Sequence, residues 1–122
     1  MAEDKRYNGW TNYETWNVNL WIDNEEGSQS YYSELALSAY NDAEADDTFT
    51  REERATLDLS ATIKEEYENA MSDWLKESGK QCSVWADLLG AALCEVNWHE
   101  IAEDMIEDVD KEEEETADDA DE

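Results

Sequence analysis

Apolar residues recur along this chain at helical spacing, in five stretches separated by short polar breaks. In the first, Tyr13, Trp16 and Leu20 share a face that Trp21 and Ile22 widen, which predicts a helix from about Asn12 to Asn24. Thr11 and Glu14 before it have capping-box spacing. Each buried aromatic side chain removes roughly 150–250 Å² from water, so this helix is expected to anchor much of the core. Glu25-Glu26-Gly27-Ser28 reads as a turn, with Gly27 suited to the position just past a helix end.

A second helix is expected from about Gln29 to Ala45, burying Tyr32, Leu35, Ala36, Ala39, Tyr40 and Ala43. After a loop at Asp46-Asp47-Thr48-Phe49, Thr50 and Glu53 form another capping-box pair. They open a third helix from Arg51 to Ser78, with Leu57, Ile63, Tyr67, Ala70, Met71, Trp74 and Leu75 inward. Asp58-Leu59-Ser60 fits that stripe poorly, so this helix is either continuous or split there. Ser83 caps a fourth helix from about Val84 to Leu93, apolar nearly all round, a pattern that argues central burial. Asn97 and Glu100 cap a fifth, from Trp98 to about Val109, with Trp98, Ile101, Ala102, Met105 and Val109 inward.

No stretch alternates as a strand does, and there is no proline. The expected fold is all-α: a compact bundle of four or five helices over residues 1–109. From Asp110 to Glu122 the only apolar residue type is alanine, so an acidic tail without fixed structure is expected there.

Charge changes the picture more than any motif. Thirty-five Asp and Glu face eight Lys and Arg, a net charge of −27. Residues 110–122 account for −8 of this, so the expected folded part still carries −19. Such a field repels phosphates and anionic lipid surfaces, which argues against direct binding to nucleic acid or membrane and for strongly basic partners. No apolar run reaches membrane-spanning length, and Met1-Ala2-Glu3-Asp4-Lys5-Arg6 lacks the apolar core of a signal peptide. A cytoplasmic location is expected, the host cytoplasm for a viral protein. Cys82 and Cys94 then read as free thiols that fill small core positions.

The acids fall into rows. On the fifth helix Glu100, Asp104 and Asp108 form one i, i+4 row, and Glu103 and Glu107 another. The third helix offers Glu52, Glu53, Glu65, Glu66 and Glu68; the second and its loop add Glu34, Asp42, Glu44, Asp46 and Asp47. Like-charge neighbours at this spacing destabilise a helix by a few tenths of a kcal/mol per pair, so their abundance calls for a reason. One is mimicry of nucleic acid. Duplex DNA carries one charge per ~1.7 Å, so the chain's charge matches roughly 46 Å of duplex. The other is solvation in a high-salt cytoplasm, where screening removes the repulsion. Both stay open.

Other chemistry is sparse. His99-Glu100-Ile101-Ala102-Glu103 lacks the second histidine of a zinc-hydrolase helix, and the chain has one histidine. His99 with Glu103 and Cys94 is the best available metal constellation; a half-exposed His beside carboxylates is the simpler reading. There is no glycine-rich phosphate loop and no nucleophile elbow, and no cofactor or enzymatic activity is expected. Tyr7 and Trp10, beside Asn8-Gly9, are candidate aromatic anchors for a partner; the alternative is a lead-in packed over the core.

Two stretches, Tyr7 to Trp21 (YNGWTNYETWNVNLW) and Asp87 to Ala102 (DLLGAALCEVNWHEIA), together resemble a group of small, mostly uncharacterised proteins of phages, plasmids and microbial genomes. The resemblance implies a small helical domain in a mobile-element setting and carries no catalytic role. This chain is more acidic than the group's usual member. The expectation is therefore a non-enzymatic anti-defence protein that occupies the basic groove of a host CRISPR or restriction complex through its carboxylate rows. The alternative is a structural or regulatory interaction module, monomer or homodimer, that binds through the aromatic face while its acidity serves solubility.

Overall fold

The computed structural model describes the backbone of residues 7–120 and the side chains of residues 7–112. Five helices follow in order: α1 Tyr13–Asn24, α2 Glu26–Asp42, α3 Arg51–Glu77, α4 Val84–Glu95 and α5 Trp98–Ala120. The all-α bundle expected from periodicity is the fold. Among the described residues, no helix is long and apolar enough to cross a membrane.

The centre of the bundle is the contact between α3 and α5. Ala55, Leu59 and Ile63, at i, i+4, i+8, are fully buried and face the core with Ile101, Ala102 and Ile106. Tyr67 meets Trp98 with ring centroids 5.5 Å apart. Near the start of α3, Arg51 donates to the Tyr40 carbonyl, and Tyr40 donates its hydroxyl to Asp110. The late part of α3 thus lies by the start of α5 and the early part by its later turns, so the two run antiparallel. α2 and α1 close the core with Tyr32, Ala36 and Tyr40, and with Val18 and Ile22.

Several expected boundaries move. α3 is continuous over 27 residues. Leu59, the residue that fits the expected stripe poorly, is a central core side chain, while Leu57 and Trp74 are exposed. Ile63, Tyr67 and Leu75 keep their expected inward places, and the first turns bury Ala55, Thr56 and Leu59, which stand at i, i+1 and i+4 on the face toward the core, in place of Leu57. α2 starts at Glu26, so Gly27 lies within it rather than past a helix end. Glu25 alone makes the break: extended, it donates its N–H to the Trp21 carbonyl while its own carbonyl accepts from Gln29.

In α1 the buried side chains are Thr15, Val18, Asn19 and Ile22, while Tyr13 and Trp21 are at least half exposed. The aromatic helix is therefore a flank of the core and not its anchor. α5 extends to Ala120, past the helix end expected near Val109. Val109 is buried and Asp110 is held by Tyr40, which carries the helix past the expected end. Residues 121–122 lie outside the described residues.

α4 reverses the strongest burial expectation. Nine of its twelve residues are apolar, yet none is buried. It lies on the rim, beside α1 and α3, with Leu93 reaching the core. Cys82 and Cys94 are likewise exposed, not core residues.

Candidate functional site

The expected capping pairs at Thr11/Glu14 and Asn97/Glu100 are rearranged into one interlock. Asn12, not Thr11, caps α1, its side-chain oxygen accepting the Thr15 N–H at 2.9 Å. Asn97 caps α5 by accepting the Glu100 N–H at 3.0 Å. The return bonds cross between the two helix starts. Glu100 Oε1 accepts the Thr11 N–H at 3.1 Å, and Thr15 Oγ1 accepts the Asn97 N–H at 2.8 Å. Asn12 Nδ2 also donates to the Glu95 carbonyl at 2.7 Å. Donors that helix starts leave unpaired are thus satisfied by the opposite helix.

This interlock fixes α5 against α1, and with it a ridge of carboxylates. Glu103, Asp104, Glu107, Asp108 and Glu112 are exposed along α5. At 1.5 Å rise per residue they stand on average roughly 3.4 Å apart along the axis, against about 1.7 Å per charge in duplex DNA.

The ridge has a groove on each side. The larger, of about 440 Å³, lies between α1, α2 and α5. Buried Ile22, Ala36 and Val109 line it, and Asp23, Asp104 and Asp108 stand at its mouth. Partial desolvation holds the Asp104 carboxyl above the ordinary range, and Asp108, Glu107 and Asp23 add repulsion that Lys111 opposes. Asp23 is raised by desolvation too, against the hydrogen bond from Asn19 Nδ2, with Asp108 adding to the rise. The smaller groove, of about 240 Å³, runs between α5 and the lead-in, where Gly9 and Trp10 face Glu103 and Glu107.

The lead-in is a built turn. Tyr7 and Trp10 exchange backbone hydrogen bonds at 2.9 and 2.8 Å, and Asn8 and Gly9 between them both have positive φ, as a two-residue hairpin turn needs. Trp10 packs partly against the core, and the Tyr7 ring lies 5.2 and 4.9 Å from those of Tyr13 and Trp16. Trp10 is half-buried and walls the smaller groove, while Tyr7 stays exposed at 37%.

The expected acidic surface divides accordingly. Glu103, Asp104, Glu107 and Asp108 share the ridge, and Glu65 and Glu68 are exposed on α3. Three others have internal duties. Glu100 is buried at 7% exposure and holds Thr11. Glu66 accepts the Tyr31 and Tyr32 hydroxyls at 2.5 and 3.0 Å, and Glu53 completes the capping box with Thr50. Glu52 is half-buried, with its carbonyl accepting the Thr56 hydroxyl. Asp23 was absent from the expected set; an acid at the end of α1 carries no sequence signal linking it to Asp104. Among the described residues, no three His, Cys, Asp or Glu side chains are grouped to hold a metal, so His99, Glu103 and Cys94 make no such centre.

The model of a family of unknown function, DUF7249, matches residues 3–117, and the chain belongs to that family. No curated protein and no solved structure matches it.

Proposed function

We propose that this protein is a non-enzymatic inhibitor of the phage or plasmid anti-defence type, acting in the host cytoplasm. It occupies the nucleic-acid groove of a basic host protein or complex, of the CRISPR or restriction kind. The observation that carries the reading is the α5 ridge: five carboxylates on one helix, flanked by a groove with an apolar floor and by a groove walled by Trp10. Arginine and lysine suit both grooves, because an apolar stem can lie on the floor while the cation meets carboxylates. An indole wall adds attraction for a guanidinium. A partner's cations would also relieve the repulsion among Asp23, Asp104 and Asp108. The energy of that relief is released only on binding, much as counterion release favours a protein that neutralises DNA.

The test is a pull-down from host lysate with the full chain, challenged with duplex DNA and repeated across salt concentrations. A nucleic-acid-processing complex should be retained, then displaced by DNA. Reversing Glu103, Asp104, Glu107 and Asp108 together to lysine should abolish retention with the helical circular dichroism unchanged. A partner that DNA leaves in place, or retention by the reversed variant, would overturn the reading. The chain would then be an interaction module whose acidity serves solvation in salt, and it should unfold when salt is withdrawn.

A further inference from the structure

Independently of that reading, α4 is unfinished as the helix of a monomer. A helix apolar nearly all round is ordinarily buried. Here Ala86, Gly90 and Leu93 turn toward the bundle, half-buried, while Val84, Trp85, Leu88 and Leu89 point outward at 60, 52, 55 and 38% exposure. At about 150–250 Å² for a large side chain, these four present on the order of 400 Å² of apolar surface. Two such faces approach the lower end of what a specific, reversible interface buries.

Charge indicates what covers it. Residues 69–94, which include the end of α3 and nearly all of α4, carry three acids and two lysines, a net charge of −1; the other 96 residues carry −26. A basic partner is drawn to the rest of the surface. Another strongly acidic molecule can approach only here, and the acidic molecule always present at equal concentration is a second copy. The edges of the face are also self-complementary. Lys80 lies just before α4 and Glu95 at its end, both exposed. A two-fold pairing of antiparallel α4 helices places Lys80 of each copy toward Glu95 of the other, and opposes the helix dipoles favourably.

We infer that the α4 face is the interface of a reversible homodimer, with Val84, Trp85, Leu88 and Leu89 at its centre and Lys80 and Glu95 paired across its rim.

Sedimentation equilibrium of the full chain, in reducing buffer because both cysteines are exposed, tests this. The mass should climb with concentration from 14.1 kDa toward twice that value. The dimer should tighten between about 0.15 and 1 M salt as screening weakens the mutual repulsion of the copies. Leu88→Glu should remain monomeric and melt as the dilute, monomeric wild-type chain does, since the side chain it replaces is exposed. Lys80→Glu should weaken the dimer several-fold, and Lys80→Glu with Glu95→Lys should restore it. A chain that stays at one-copy mass at both salt concentrations overturns the inference, whether or not some other protein then binds α4. So does a dimer that Leu88→Glu leaves intact, or one that the charge exchange fails to rescue.

Discussion

Thr15 Oγ1 accepts the Asn97 N–H at 2.8 Å while donating to Asn12 Oδ1 at 2.6 Å, and the side chain is fully buried. One hydroxyl thus joins the caps of two helices that start 85 residues apart. Thr15→Val keeps the shape and leaves the Asn97 N–H without its acceptor, a change that costs about 1–3 kcal/mol. Urea unfolding should show a lower midpoint with an unchanged slope, and Thr15→Ser should recover most of the loss.

Glu100 and Glu103 are near neighbours on α5 with different tasks. Glu100→Lys removes the acceptor of the Thr11 N–H and buries a cation at the interlock, so the melting temperature should fall by several degrees. Glu103→Lys, on the exposed ridge, should leave it unchanged or slightly raised and should weaken partner binding instead. Equal thermal effects would contradict the division of the acidic row into internal and outward members.

Asp104 sits where the ridge meets both grooves, and like charges raise its carboxyl pKa beyond what desolvation does alone. Asp104→Asn should stabilise the free protein by a few tenths of a kcal/mol, the size of a relieved like-charge pair. The same variant should lose affinity for a basic partner. Gain of stability with loss of binding, measured on one variant, separates a functional carboxylate from a solvating one.

The dependence on pH follows from three carboxyls. Asp23 and Asp104 are raised above their ordinary value of 3.8, so just above that pH the folded chain binds more protons than the unfolded one. Stability should therefore rise as pH falls from neutral toward about 4. Asp46 is lowered, chiefly by the Phe49 and Thr48 N–H groups and by Arg54, so its contribution is present above 3.8 and lost as pH falls through its depressed value. Chemical unfolding should show a maximum near pH 4 and a decline below, measured on dilute protein because the isoelectric point is about 4.1. A stability that falls steadily from pH 7 would contradict the placement of Asp23 beside Asp108.

Much of the fold is legible in the chain because its signals are local. The Thr50–Glu53 capping box forms with both bonds in place, and Ser83 caps α4 as its position before an apolar run suggests. The buried stripes of α2 and α5 contain the residues that periodicity picks out, with Ile106 added. Each depends on neighbours within one or two helical turns, where backbone geometry alone fixes which side chains share a face.

The rest depends on which face meets which helix, and no local rule encodes that. Leu59 and Leu57 are two residues apart, equally apolar, and opposite in fate because two helical residues point about 200° apart, and Leu59 shares the core-facing side with Ala55 and Ile63. Glu100 keeps the local half of its capping pattern, its N–H bonded to Asn97, and gives its carboxylate to the Thr11 N–H across the interlock. The sequence by itself determined the helical elements, the caps at Thr50, Ser83 and Asn97, and the strongly acidic composition. Only tertiary structure decided that α4 lies on the rim, that Asp23 joins Asp104 and Asp108, and that Glu66 and Glu100 face inward. Those outcomes are set by packing between elements far apart in the chain, where burial and unpaired backbone donors outweigh the local pattern.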